Sequence, residues 1–209
     1  MNCLLSTAYW PNQYYFFHVL NSETITVEQF EHYQKQSFRN RSTILSANGP
    51  LDLIIPVQNT GNKQLAKDVF ISYKENWQIK HWRAITSAYR SSPYFEHFEP
   101  EISFFYEQKF ESLLEYNLEQ IKLLLKLLRV PKDIGLTTTY ETDPSNSLDL
   151  RMSIHPKIDF AETDALIQKL CKPYYQVFAD KFGFTENLSI LDLFFNTGLG
   201  TLEYLNAMK

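Results

Sequence analysis

The chain has five histidines, the residue type best matched to acid–base work near neutral pH, and one of them stands apart from the others. His81 lies in the run NWQIKHWRAITSAYRSSPYF, residues 76–95. At about 100° per residue, Trp77, Trp82, Ala84, Ile85, Ala88 and Tyr89 share one broad helical face, and His81 projects near its middle. Lys80, Arg83 and Ser87 fall on the opposite side. A histidine in apolar company loses most of its water, so it needs either a hydrogen-bond partner or a chemical task. A rigid helix would hold it as a general base within reach of a proton. The competing reading is a core histidine satisfied by a structural partner.

Other candidates are weaker. The polar segment EHYQKQSFRNR, residues 31–41, sets Lys35, Arg39 and Arg41 beside the amides of Gln34, Gln36 and Asn40. Guanidinium and amide donors match phosphate or carboxylate oxygens, so the segment reads as an anion-binding stretch or as a solvated loop. Asp192 falls in the first turn of a helix that Ser189 can cap. It could orient His81 or a basic residue, or simply favour the helix dipole. Cys3 and Cys171 both sit among apolar residues and read as small core side chains. No G-x-S-x-G, P-loop or strand-linked G-x-G-x-x-G is present, and no CxxC or HxxxH, so no metal site is indicated.

The elements that must position these residues begin with a buried strand over 2–8, a helix over 12–20 opening at Pro11, and a strand over 23–28. A strand, a short helix and a strand predict a βαβ unit with parallel pairing. Strands over 42–47 and 51–57 meet at Asn48-Gly49, a hairpin signal, with Pro50 left outside the second strand. Residues 68–72 read as another strand. Asn76 is the expected N-cap of the His81 helix, which should end near Tyr89 or Arg90 because Pro93 follows. One helix is predicted over 99–129, with Leu114, Leu118, Ile121, Leu125 and Leu128 as its core stripe. Residues 137–141 and 174–178 are strand-like, 164–170 helical, and Gly198 should stop the last helix begun at Ser189. The turn-formers at 143–147 mark a candidate boundary. The fold class is α/β: a mixed sheet, made of an N-terminal βαβ-like unit plus a β-hairpin, packed with helices, and a mainly helical second half. A single domain over 1–209 is expected, with a small helical subregion over about 98–209 as the alternative.

Composition narrows the partners. The net charge is −4, from 20 basic and 24 acidic residues, so nucleic acid is not an expected partner. No apolar stretch approaches about 18 residues, so no membrane insertion is expected, and the opening residues, without a basic run or a full apolar run, are not expected to act as a signal peptide. With two cysteines, a cytoplasmic location is expected. Aromatics are abundant, with 13 Tyr, 16 Phe and 3 Trp, enough to build a core or to line a pocket for a sugar, a base or an acyl chain.

Several stretches, in order along almost the whole chain, resemble the WbqC-like family: TAYWPNQYYFFHVL, YQKQSFRNRSTIL with the following NG, LIIPV, WQIKHWRAITSAYRSSPYFE, YYQVF and GFTENLSILDLFFNTGLGTLEYL. Thr7-Ala8 stand where relatives carry Gln-Pro. The resemblance implies a bacterial protein of O-antigen-like surface-polysaccharide biosynthesis, and permits acyl or aminoacyl transfer onto an activated amino sugar. It marks Asn40, Arg41, Lys80, Tyr89, Tyr94 and Asn196 as substrate-binding positions, and His81 and Asp192 as the catalytic pair. His81 would act as base and Asp192 would orient it or a neighbouring donor. Arg41 and Lys80 would hold phosphate or carboxylate of a sugar nucleotide or acyl donor. The alternative is a non-catalytic module that binds a sugar nucleotide or a partner in a polysaccharide-assembly complex. The cofactor and any protein partner are left unknown.

Overall fold

The computed structural model describes residues 1–58, 63–157 and 172–207. In chain order the elements are β1 (Asn2–Leu5), α1 (Gln13–Asn21), β2 (Ile25–Val27), β3 (Arg41–Ser46), β4 (Gly49–Ile54), α2 (Trp77–Tyr89), α3 (Phe95–Glu107), α4 (Leu113–Leu127), β5 (Ile134–Leu136), β6 (Ser147–Asp149), α5 (Ala179–Phe182), α6 (Ile190–Thr197) and α7 (Gly200–Asn206). A short 3-10 turn covers Ala66–Asp68.

Four strands form a parallel sheet in the order β5-β2-β1-β6. β1 is central and apolar, as a strand covered on both faces must be. Its Cys3 is buried, and burial pushes the thiol up to about 11. The expected parallel β1–α1–β2 unit is present. β1 is shorter than the predicted 2–8 because residues 6–12 leave the sheet. Asn12, not Pro11, begins the helix: its side chain accepts from Tyr15 N at 2.9 Å and caps α1.

The hairpin stands apart as its own two-stranded sheet, so the α/β class holds but the parallel and antiparallel pairs do not merge into one mixed sheet. Its register pairs Ser46 with Gly49, which makes Ala47-Asn48 the turn and leaves Gly49, at φ +101°, to close it. Pro50 lies inside β4 opposite Leu45. Antiparallel pairs alternate, and Leu45–Pro50 falls at a position without ladder bonds, where the missing N–H costs nothing.

Two corrections share one cause. The predicted 99–129 helix is split into α3 and α4, and 68–72 forms single bridges, not a strand. Between the helices, residues 110–113 pair with 69–73: Ile71 N donates to Glu111 O, and Leu113 N to Val69 O, at 2.9 and 3.0 Å. Tyr73 Oη both donates to Phe110 O and accepts from Phe110 N, at 2.9 Å each. This long-range pairing outcompetes helix propagation, and Ser112 then caps α4. The leucine stripe of α4 is buried as expected.

Residues 137–141 and 174–178 are not strands, and the sheet takes Ile134–Leu136 instead. The turn at 143–147 leads directly into β6. The predicted helix at 164–170, and Cys171, lie outside the described residues. Most aromatics fill the core: Phe98 packs on Phe194 and Phe95 on Phe195, with ring centroids 4.3 and 5.1 Å apart, which locks α3 against α6.

Candidate functional site

α2 presents His81 inward, although Asn76 makes no side-chain cap bond. His81 Nδ1 lies 3.0 Å from the Tyr9 hydroxyl, which is 2.9 Å from the Tyr106 hydroxyl, and Trp10 Nε1 donates to Tyr106 Oη at 2.9 Å. Trp10 Nε1 can only donate, so Tyr106 Oη accepts from it, and the chain of contacts runs from Trp10 through Tyr106 and Tyr9 to His81. Burial pushes the imidazole down to about 4, so it is neutral at pH 7. Lys80, one residue back, is on the exposed face, 3.3 Å from Glu75.

Asp192 sits in a second cluster. Ser189 Oγ accepts from Leu191 N to start α6, and also donates to Trp10 O. This fastens the helix to the loop after β1. Asp192 is 1% exposed. Its Oδ1 accepts from Tyr174 Oη at 2.6 Å and Gln176 Nε2 at 3.0 Å, and Gln13 Nε2 donates to Tyr174 Oη at 2.6 Å. Asn196 Nδ2 donates to Asp192 O at 2.8 Å. The Tyr89 hydroxyl faces the same carboxylate without closing a hydrogen bond. Burial pushes the carboxyl up to about 6 against these donors. The fold thus gathers Tyr89, Asp192 and Asn196, whereas His81 and Asp192 share no partner.

The remaining predicted residues lie elsewhere. Tyr94 precedes α3, its N donating to Phe195 O at 3.0 Å and its ring lying against Gly198. Asn40 and Arg41 open the hairpin, where Asn40 Nδ2 donates to Ile55 O and Arg41 pairs with Asp52 at 3.2 Å.

Parallel sheets bind ligands outside the carboxyl ends of their strands, where the strand order reverses. Here that point lies between β1 and β6, and sequence reasoning missed what fills it. Arg39 forks onto Glu31 at 2.9 and 2.6 Å and also donates to Ser6 Oγ at 2.8 Å. Arg151 forks onto Asp149 and reaches buried Glu28 at 3.3 Å. The void beside Ser6, Arg39 and Ile154 has about 10 Å³ of room, close to the need of one water. The first N–H groups of α1 are also taken: Gln13 N by Leu188 O, Tyr14 N by Asn187 Oδ1 and Tyr15 N by Asn12. The usual ligand edge is sealed by the chain's own charges. The signal was the 31–41 segment itself, whose Glu31 and Arg39 pair with each other.

An open concavity lies on the outer face of α2. Trp82, Arg83, Thr86, Ser87, Arg90 and Ser91 line a groove of about 500 Å³. Neither guanidinium has an ion pair or hydrogen bond among the described residues. Trp82 is held by stacking on Phe95 and Tyr106, at 6.0 and 5.5 Å between centroids. Arg83 and Arg90 are seven residues apart and so on one face. The sequence signal was the polar side of the helix. Among the described residues no three His, Cys, Asp or Glu gather to hold a metal ion.

No curated protein and no solved structure matches the chain. A family model does, over residues 7–167, a span that holds Asn40, Arg41, Lys80, His81, Tyr89 and Tyr94 and stops short of Asp192 and Asn196. Because that match covers more than half of the 209 residues, the chain belongs to the WbqC-like protein family.

Proposed function

We propose that the chain acts in the biosynthesis of bacterial surface polysaccharide, as a cytoplasmic single-domain transferase that moves an acyl or aminoacyl group onto a nucleotide-linked amino sugar. Family membership is consistent with a polysaccharide-related role. The observation that carries the substrate class is the α2 groove. Two unpaired guanidinium groups match a diphosphate, and three hydroxyls and an indole match a sugar or a base. Its volume is within the range of small-molecule sites. In this reading neither His81 nor Asp192 lines the groove: His81 holds the loop after β1, and Asp192 is buried in its own polar cluster.

One observation favours a second reading. The groove's lining holds no histidine, cysteine or carboxylate, which suits a non-catalytic module that holds a sugar nucleotide for a partner enzyme.

The test is a thermal-shift screen of the whole chain against uridine-, guanosine- and thymidine-diphosphate sugars and acetyl-CoA. A ligand at a hundred times its Kd adds about 2.7 kcal/mol, several degrees for a chain this size. The Arg83→Ala, Arg90→Ala double variant should keep its melting temperature and lose the shift. A shift with turnover of an acyl donor supports the transferase. A shift without product supports the module. No shift with any compound overturns both.

A further inference from the structure

The buried polar cluster around Asp192 is incomplete in a particular way. Asp192 has no cationic partner among the described residues, although Arg39 and Arg151 are paired with acids elsewhere. Around it, Gln13 Oε1, Asn196 Oδ1 and Tyr89 Oη are buried without a partner. Gln13, Tyr89 and Asn196 are 0%, 1% and 6% exposed.

The amide orientations follow from the network. Tyr174 spends its proton on Asp192, so Gln13 must turn its NH2 toward Tyr174 Oη and keep its oxygen free. Asn196 must turn its NH2 to the Asp192 carbonyl, which again leaves the oxygen free. Gln176 is fixed by accepting from Thr185 N. A partner lying between Gln13 and Asn196 would donate to two amide oxygens beside a carboxylate that has no cation among the described residues. A water supplies two protons and no charge. Among the described residues no three His, Cys, Asp or Glu gather here, so a divalent metal would find one carboxylate. A primary ammonium supplies three N–H groups and the compensating charge.

We propose that Asp192, Gln13 and Asn196 form a subsite for the primary ammonium group of an amine-bearing ligand, with Tyr89 Oη as a further contact. Asp192 and Asn196 lie outside the span matched by the family model, Gln13 and Tyr89 lie within it, and the subsite does not depend on whether the α2 groove binds a sugar nucleotide. Tyr174 and Gln176 come from the non-helical, non-strand run 172–176, and Tyr174, only partly buried, covers the carboxylate.

The probe is methylammonium chloride, titrated into the full chain at pH 7.5 and constant ionic strength, with sodium, potassium and tetramethylammonium chlorides as references. Methylammonium should raise the melting temperature saturably, and tetramethylammonium, which has no N–H, should not. Asp192→Asn should weaken the response at least tenfold while keeping an acceptor for Tyr174. Gln13→Met removes one amide acceptor, leaves the carboxylate, and should also weaken the response. The Arg83→Ala, Arg90→Ala variant should respond like the parent chain, which separates this site from the groove. Equal responses to methylammonium and to sodium, potassium or tetramethylammonium, no saturable response, or an undiminished response in the Asp192→Asn and Gln13→Met variants each overturn the proposal.

Discussion

The Tyr9 hydroxyl stands 3.0 Å from Nδ1 of His81, and the two residues lie 72 positions apart in sequence. This contact ties the loop after β1 to α2. Its pH consequence has a definite sign. The folded pKa of about 4 lies below the ordinary value near 6.5, so the native state binds fewer protons. The contribution is complete above pH 6.5 and is lost as pH falls through 4. At about 1.4 kcal/mol per unit it amounts to roughly 3 kcal/mol. His81→Gln should be less stable at pH 7.5 but should lose less stability than the parent between pH 6.5 and 4.5. Urea midpoints across that range check this, and parallel curves would remove the assignment.

Asp192 acts in the opposite direction over an overlapping range. Its folded pKa of about 6 is above the ordinary carboxylate value near 3.9. Its stabilising, protonated form is complete below about pH 4 and is lost as pH rises through 6. Asp192→Asn should therefore be more stable than the parent by about 2–3 kcal/mol at pH 7.5 and nearly equal to it at pH 4. Because His81 and Asp192 partly cancel, the parent chain alone would show a shallow profile, and the two variants are needed to resolve it.

Arg39 and Glu31 are both buried, with 2.6 Å between Nη2 and Oε2. Arg39→Met strands a buried carboxylate and should cost about 3–5 kcal/mol, whereas Arg39→Met with Glu31→Leu should recover much of it. Arg41→Ala breaks a partly exposed pair with Asp52 and should cost less than about 1 kcal/mol. Denaturant unfolding of the three variants tests the contrast.

Gly198 ends α6 at φ +56°, and a Cβ there would lie 2.7 Å from Tyr94 Cδ1. Gly198→Ala should lose about 1–2 kcal/mol from the left-handed backbone and about 1–3 more from the clash. In a Tyr94→Ala background only the backbone cost should remain. A double-mutant cycle by thermal unfolding separates the two; a cost unchanged by Tyr94→Ala would exclude the clash.

What the sequence disclosed was what neighbouring residues decide. The β1–α1–β2 unit, the hairpin near Asn48, the end of α2 at Tyr89 and the Ser189 cap each rest on local chemistry, and each is present. The break at residues 108–112 needed the pairing of Ile71 with Glu111, which no periodicity contains. Strand β6 was invisible for the same reason, being three residues long and defined by its partner β1. The partner of His81 could not be read without Tyr9 in place, nor the 31–41 segment without knowing that Arg39 and Glu31 turn inward together. Arg83 and Arg90 were legible as a polar stripe, but that neither has a partner is a property of the folded surface.

The placement of β1 has a consequence for how the protein is made. Its first neighbour, β2, leaves the ribosome soon after it, but its other neighbour, β6, does not emerge until Ser147–Asp149. Ser6 and Arg151, which meet beyond those two strands, are 145 positions apart. During most of synthesis the most apolar strand of the sheet therefore has a bare edge able to pair with another chain. Contacts this distant in sequence also close slowly. Nascent chains halted before β6 should be the aggregation-prone species, and synthesis through β6 is the step that protects the centre of the sheet.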